Sequence, residues 1–588
     1  MLGEIVKERA IEVVKRNAAR DIITGIREWR ENKVQVAKRR WIYELIQNAI
    51  DVAKARGNNN LKIEVFKDEN SIIFRHNGGF FTLDEIGAII YGGSTKPYSQ
   101  ESEYIGRFGT GFLVTHILSR IVKIKGYIFN DKDNKVYSFK IELNRESNDD
   151  NELARDIDRC FEQLNNATPI GKKEEEREYI TEYEYIIHDE LGNDAIKEGL
   201  SELERVIPLI LAFNDIISQI TINGKRFRKI STGNDVVKVE RYNVILKGDD
   251  IVQIAIVLEN NRIAKLDSIP KIFVSLPLVE TANIDLPFVI NSKNLEPTKE
   301  RDFLLDTPEN REILDRAFQL YIELLNDLSD NIDELKDLHN LVDFSTIKAD
   351  NIKQNPLSDY LDELIKEYRD KIIEEIPLVK TLDGYKEICN VLIPIEKIDD
   401  PDSNKHMPEE LFEKFYAILS SIKKDIPTKD VLEGWKEIAL KLYADSAQVN
   451  LYTLKDLRDE IVEYVKDQKY PELTELRDYF SLSEDPKTFL IKIIEIIDEL
   501  YKMDLIESPD FVDYLLVDQN GVISPYKWNG SRLYLDDNIP EDLKRIARKI
   551  GWNIKSVLLD NEFANFKIVQ DLIAVSYTHL TLPTTERV

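Results

Sequence analysis

Three glycines within six residues, Gly106, Gly109 and Gly111, stand directly before the apolar segment Phe112–Ser119. Glycine reaches backbone conformations closed to other residues, so a glycine run that opens a helix can turn its N–H groups and the helix dipole toward phosphates. Upstream, residues 36–54 show helical periodicity, with Glu44 and Asn48 four apart and Asp51 three further on, which places all three on one face. Between helix and glycines, the alternating segments Leu61–Phe66 and Ile72–Phe74, joined at Asp68-Glu69-Asn70, form a β-hairpin pattern that ends in His76-Asn77-Gly78-Gly79. A carboxylate beside a side-chain amide can orient or deprotonate a water while the amide oxygen ligates Mg²⁺. Residues 39–112 are therefore expected to form a phosphate pocket on which the rest of the chain is organised. The glycine order is not the dinucleotide fingerprint, residues 98–103 do not read as a buried strand, and no Walker lysine pattern occurs.

A chain of 588 residues exceeds one hydrophobic core, which implies three or four domains. With 43% hydrophobic and 32% charged residues it reads as globular, and no apolar run approaches the roughly 18 to 20 residues that span a bilayer. The first residues, Met1-Leu2-Gly3-Glu4-Ile5, read as a charged helix rather than a signal peptide, so the expected location is the cytoplasm. Cys160 and Cys389 are far apart and read as structural thiols, and the six histidines show no ligand spacing for structural zinc. A net charge of −28 argues against a surface built for nucleic acid, although it leaves room for a local basic groove.

Along the chain, residues 4–30 read as a long helix closed by Trp29. After the glycine run, strands are expected near 121–128, 136–143 and 179–187, with the charge-dense segment 145–178 as a solvated helix face or loop. A helix over 195–213 precedes expected strands at 217–222, 236–247, 251–258 and 272–276, with Asn223-Gly224 as a turn. Thr307 followed by Pro308 is a helix start, and Ile313, Leu314, Ala317, Phe318 and Tyr321 recur at helical spacing behind it. Residues 377–394 and 515–535 each set an Asp-Gly or Asn-Gly turn between apolar segments, so each is expected to be a hairpin, together a degenerate repeat. These readings divide the chain into 1–222, an α+β middle segment 223–305, and a mostly helical region 306–574. The tail Val575–Val588 matches the conceptual translation of a transposase-type sequencing adapter, and is expected to be absent when the same locus is read from an independent library.

The three pocket motifs carry a resemblance. Glu44-Leu45-Ile46-Gln47-Asn48-Ala49-Ile50-Asp51 resembles the N-box of the GHKL ATPases, the superfamily of gyrase, the ninety-kilodalton heat-shock chaperones, histidine kinases and MutL. His76-Asn77-Gly78-Gly79-Phe80-Phe81-Thr82 resembles their adenine-side motif, and Gly106-Arg107-Phe108-Gly109-Thr110-Gly111-Phe112 their phosphate-side motif. The resemblance implies an α+β chain opening with a GHKL (Bergerat) α/β sandwich. It makes Glu44 the residue that activates water, Asn48 the Mg²⁺ ligand, Asp51 a supporting polar residue and the glycine run the phosphate cradle. Gly92-Gly93-Ser94-Thr95-Lys96 resembles the start of the ATP lid, with Lys96 as a phosphate contact.

The family usually has Asp where this chain has His76. A neutral imidazole offers one acceptor nitrogen, so ATP affinity is expected to weaken as pH falls through about 6.5. Residues 273–278, 286–291 and 298–302 resemble the middle segments of sacsin-type and heat-shock chaperone proteins, which implies that Lys299 or Arg301 reaches the γ-phosphate. The implied protein is an Mg²⁺-dependent ATPase of sacsin or chaperone type, with protein clients or partner subunits, a possible nucleotide-dependent dimer, and neither nucleic acid nor membrane as partner. The alternative is a nucleotide-gated scaffold or defence-type sensor with little hydrolysis. No helical histidine hairpin precedes the pocket, which disfavours a histidine kinase, and His116 reads as a packed helix residue.

Overall fold

The computed structural model describes residues 2–93, 111–170, 178–233, 235–344, 355–444, 448–528 and 531–578. Helix α1 (Leu2–Arg27) passes through a single π-helical turn, Glu28–Asn32, into α2 (Val34–Ala55), and Trp29 is buried in that turn. Strands β1 (Leu61–Lys67) and β2 (Ser71–His76) form the expected antiparallel hairpin, with Val65 opposite Phe74. Then come β3 (Phe81–Thr82), α3 (Leu83–Tyr91) and the short α4 (Gly111–Val114). Thr82 and Glu85 close a capping box at the start of α3, and Gly92 ends it at φ +67°. A Cβ at Gly92 would lie 2.7 Å from Ile22 Cγ1, so this glycine is a helix stop packed on α1.

Strands β4 (Ile121–Asn130) and β5 (Lys135–Asn144), helix α5 (Asp150–Leu164), β6 (Thr168–Pro169), β7 (Thr181–Ile186) and α6 (Glu190–Phe213) complete this half. The charge-dense 145–178 segment is thus not all solvated, because α5 turns Leu153, Ile157 and Cys160 into the core. Next come β8 (Ile217–Ile222), β9 (Lys225–Thr232), β10 (Val236–Val239), β11 (Tyr242–Gly248), β12 (Gln253–Glu259), β13 (Arg262–Ile263), β14 (Ile272–Val274), β15 (Leu276–Pro277) and β16 (Val289–Asn291). One continuous sheet has the order β15-β14-β16-β12-β11-β10-β9-β8-β1-β2-β7-β4-β5-β6, with β13 on β12 and β3 on β4.

Strand β9 makes the sheet continuous. Its first half pairs with β8 (Ile220 with Phe227) and its second with β10 (Val237 with Thr232). The single strand expected over 236–247 is two antiparallel strands. The chain reverses at Glu240, whose φ of +49° needs no Gly or Pro to announce it.

In the strands β1, β2, β7 and β4, alternate residues (Ile63, Val65, Phe74, Val122, Ile124, Tyr183) enter one core with Ala19, Trp41, Leu45, Ala49 and Ile207 of the helices. The opposite face carries Lys62, Glu64, Arg75, Glu182, Glu184 and Lys125, each partly exposed. This period-two division produces a two-layer α/β sandwich. Helix α7 (Pro308–Leu328) starts as expected, with the Thr307 hydroxyl accepting from Asn310 N–H and Pro308 in the first turn.

The chain folds as two compact units, Met1–Arg369 and Asp370–Val588. The second unit is mostly helical, with helices at Glu409–Ile422, Lys429–Tyr443, Leu454–Asp467, Leu473–Phe480 and Pro486–Lys502 around a core that includes Phe415, Leu457, Phe489 and Ile493. Hairpins Val379–Thr381/Gly384–Lys386 and Leu516–Val517/Ile523–Ser524 form across the expected turns. Leu392–Pro394, read as part of the first hairpin, instead pairs in parallel with Asn450–Tyr452, and Tyr534 in the segment read as the second hairpin's return arm instead bridges Leu558. The α+β class, with an α/β sandwich first and a helical region last, is the observed fold. Among the described residues no helix is long and apolar enough to cross a membrane.

Candidate functional site

Helix α2 carries polar residues on two faces. On one, Lys38 Nζ lies 3.1 Å from both Asp194 and Glu198, Trp41 Nε1 donates to the Ala195 carbonyl at 2.9 Å, and the Tyr43 hydroxyl donates to Glu202 at 2.8 Å. A Cβ at Gly199 would fall 2.4 Å from Trp41 Nε1, so glycine there allows α2 and α6 to close. Burial pushes the Glu202 carboxyl up, while Arg39 beside it pulls the other way. This face fixes the helix to its neighbour.

The other face bears Arg40, Glu44, Asn48 and Asp51 in succession. Glu44 is 6% and Asp51 3% exposed, and Asn48 is half-buried. Arg40 donates to Glu44 Oε1 from Nε at 2.9 Å and from Nη2 at 2.5 Å. The guanidinium lies 5.1 Å from the centre of the Trp29 ring and also donates, through Nη1, to the backbone carbonyl of Glu300. The Glu300 carboxylate takes Lys33 Nζ at 2.7 Å, which holds it below the usual range. A cationic and aromatic link therefore joins Glu44 to the segment around residue 300.

That segment is a tight turn. Thr298 N–H donates to the Phe303 carbonyl and Arg301 N–H to the Thr298 carbonyl, each at 2.9 Å, and Arg301 sits at φ +53°. The Thr298 hydroxyl donates to Asp302. Lys299 is exposed and Arg301 half-buried, and Glu300 between them faces α2.

Gly111 begins α4 beside Glu44. A Cβ built there would lie 2.0 Å from Glu44 Oε2 and 2.8 Å from its Cδ. The last glycine of the run is thus seated on the carboxylate, and any side chain at 111 would displace it. Phe112 packs edge-on against His116 at 5.8 Å and tilted against Tyr183 at 5.9 Å. His116 is fully buried, its Nδ1 2.9 Å from the Ser119 carbonyl and its Nε2 2.9 Å from Arg145, and burial holds it neutral, in keeping with a packed residue. Lys96, Gly106, Arg107, Phe108, Gly109 and Thr110 lie outside the described residues.

On the hairpin side, His76 is 2% exposed and its Nδ1 accepts the Gly78 N–H at 3.0 Å. A neutral ring with that acceptor filled carries its proton on Nε2 and presents a donor. Burial also lowers its pKa to about 3. The expected acceptor role toward an adenine amino group, and the expected titration near pH 6.5, are both corrected by this geometry. Gly78 itself lies under Ala49 of α2, where a Cβ would come 3.0 Å from the Ala49 carbonyl. The Asn77 side chain accepts from Lys62 N–H at 2.7 Å and donates to the Asn60 carbonyl at 3.0 Å, which locks the end of β2 to the start of β1. It therefore shapes the rim rather than projecting from it.

No protein-family model matches this chain, and no curated protein matches it. Among solved structures it is similar to the ATPase and transducer domains of DNA topoisomerase II from Balamuthia mandrillaris, at 16% identity and a TM-score of 0.29, over 48% of this chain and 81% of that one. It is also similar to the ATPase region of Saccharomyces cerevisiae topoisomerase II (13%, TM-score 0.29, 45% and 76%) and to the B subunit of DNA gyrase from Myxococcus xanthus (10%, TM-score 0.30, 51% and 95%). Likenesses this distant say nothing about the chemistry of the site.

Spacing alone brings Glu44, Asn48 and Asp51 together and does not reveal Arg40, Trp29 and Glu300 as their neighbours. Arg40 was within reach of the same rule, since it precedes Glu44 by four residues and an i, i+4 pair of opposite charge faces one way on a helix. Trp29 and Glu300 join only through tertiary packing. Among the described residues no group of three or more His, Cys, Asp or Glu side chains could hold a metal ion. Mg²⁺, which keeps several waters and takes phosphate oxygens, needs one or two side-chain oxygens, and half-buried Asn48 beside Glu44 fits that need.

Proposed function

We propose that Met1–Arg369 binds and hydrolyses ATP as a GHKL-type module and that hydrolysis is slow. The observation that carries the reading is Gly111 seated against the buried carboxylate of Glu44, with Arg40 behind it. Glu44 orients and deprotonates the attacking water, and the close approach of the Gly111 backbone keeps the phosphate end of the nucleotide next to that water. Mg²⁺, held by Asn48, would neutralise charge on the phosphates. Asp51 supports Asn48 from the next turn. Gly106, Arg107, Phe108, Gly109, Thr110 and Phe112 complete the cradle, and Lys96 reaches it from the lid. Lys299 and Arg301, displayed by the turn that touches Arg40, supply positive charge to the γ-phosphate.

ATP then links the pocket to the turn near residue 300, and hydrolysis resets a surface for protein clients or partner subunits in a sacsin- or chaperone-like role in the cytoplasm, with a nucleotide-dependent dimer as one form. The segments 1–222, 223–305 and 306–574 act as pocket, transducer and client-facing region. The second reading, a nucleotide-gated scaffold with little hydrolysis, is favoured by one feature: both bonds from Arg40 fall on the same oxygen of Glu44, so the base is engaged at rest.

The test is turnover and binding of Mg·ATP by the wild type and by Glu44→Ala. Loss of a general base lowers turnover about 10²- to 10⁴-fold and leaves nucleotide affinity in place. Equal turnover in the two proteins removes the hydrolytic reading and leaves the gated scaffold.

A further inference from the structure

The outer face of the sheet, opposite the helices, neutralises its own charge over most of its width. Lys125 lies 2.7 Å from Glu182 and 3.8 Å from Glu184, and Arg75 pairs with Glu64. The pairing stops at β8 and β9. There the register sets Lys62 of β1 beside Gln219 of β8 and Gln219 beside Arg228 of β9, with Arg226 in the next row opposite Thr221. Side chains two residues apart on a strand share a face, so Lys62, Gln219, Arg228 and Arg226 project together.

These residues line a concavity of about 350 Å³ with Lys229 and Glu178. Lys62, Arg226 and Arg228 thus face one described carboxylate, Glu178, which lies 3.5 Å from Lys62, whereas Lys229, next after Arg228, turns its side chain to the other face and lines the concavity only at its edge. Among the described residues neither Arg226 nor Arg228 forms an ion pair. Lys229 is largely buried, its nearest carboxylate is Asp215 at 4.0 Å, its Nζ donates to the Asn214 carbonyl at 3.2 Å, and burial lowers its pKa. Among the described residues this is an excess of cations gathered in a cavity, in a chain of net charge −28, and repulsion between them would oppose it without an anion to offset it.

We infer that this corner of the sheet binds a small phosphorylated anion. Two guanidinium groups suit phosphate oxygens because each offers a planar pair of donors, while the Gln219 amide between the cations is held by its bond to the Thr221 hydroxyl at 3.2 Å. The volume falls near the lower end of the roughly 300 to 1,000 Å³ of small-ligand pockets, and the polar lining excludes an apolar ligand. A nucleic acid is the less suitable occupant, since its backbone would run beyond Lys62, Arg226 and Arg228 onto the charge-paired surface beside them. The position has a consequence for the sheet, because β9 is the strand shared by its two halves and an anion here would tie it to β1.

The probe is inorganic tripolyphosphate, titrated into the full chain by calorimetry without nucleotide. Wild type, Arg226→Ala/Arg228→Ala and the charge-keeping Arg226→Lys/Arg228→Lys are compared, all at exposed positions. The expected result is wild-type binding that weakens as salt rises, at least tenfold loss in the alanine pair, and a smaller loss in the lysine pair. Any tripolyphosphate taken up in the ATP pocket would be untouched by these substitutions, so equal binding in wild type and the alanine pair overturns the inference. Binding of a single-stranded oligonucleotide with no uptake of tripolyphosphate overturns it as well.

Discussion

The ring of His76 lies against Tyr183, with centroids 6.4 Å apart, and takes a backbone N–H on the nitrogen that a proton would need. Its folded pKa of about 3 is far below the unfolded value near 6.5, so the neutral ring is the native form. The sign follows: stability from this residue is fully present above about pH 6.5 and is lost as pH falls from there toward 3, because only the unfolded chain takes up the proton. At about 1.4 kcal/mol per pH unit, His76→Gln should lose about 2 kcal/mol less unfolding free energy than wild type between pH 6.5 and 5. Urea unfolding at the two pH values measures this, and equal losses would place the His76 titration elsewhere. ATP affinity at pH values where both proteins are folded should not follow the wild-type histidine at all. The identity of the residue was legible in the sequence; its burial and its bond to Gly78 were not, because both depend on how the hairpin end folds under Ala49.

At the scale of elements, α2 and the 298–303 turn are joined by one guanidinium. Arg40 and Glu44 are both buried, and removing one partner of a buried pair leaves the other charge uncompensated, at a cost of about 3 to 5 kcal/mol. Arg40→Ala should therefore lower the unfolding free energy by an amount in that range, and adding Glu44→Gln should recover much of it. Thermal or urea unfolding of the two singles and the double decides the matter; additive losses would mean that the pair does not act as a unit. Helical elements were legible because apolar residues recur along α2, α6 and α7. Strand β9 was not, since Lys-Arg-Phe-Arg-Lys has Phe227 as its one apolar residue and one fully buried side chain and reads as a charged loop. The reversal at Glu240 was hidden for the complementary reason, an unbroken β-type sequence on either side of a left-handed residue.

Over the whole molecule, the alternation of charged and apolar strand residues made the α/β sandwich readable, whereas the continuity of one sheet from β6 to β15 was not. It depends on pairing between strands far apart in sequence, such as β1 with β8, which local pattern does not encode. That continuity and the Arg40 link place the pocket and the 298–303 turn within one unit, Met1–Arg369. A ligand that binds only the native state at about 100 times its Kd stabilises it by about 2.7 kcal/mol. If the proposed function holds, Mg·ATP and a non-hydrolysable analogue should each raise the melting temperature, and Glu44→Ala should keep the shift because on that reading it removes a base rather than the cradle. Hydrogen exchange should then slow in α2 and in the 298–303 turn together, since the Glu300 carbonyl and the Glu44 carboxylate share a donor. Protection that rises in α2 while the turn exchanges as before would leave the pocket intact and remove the turn from it. No melting shift with either nucleotide would remove the pocket itself.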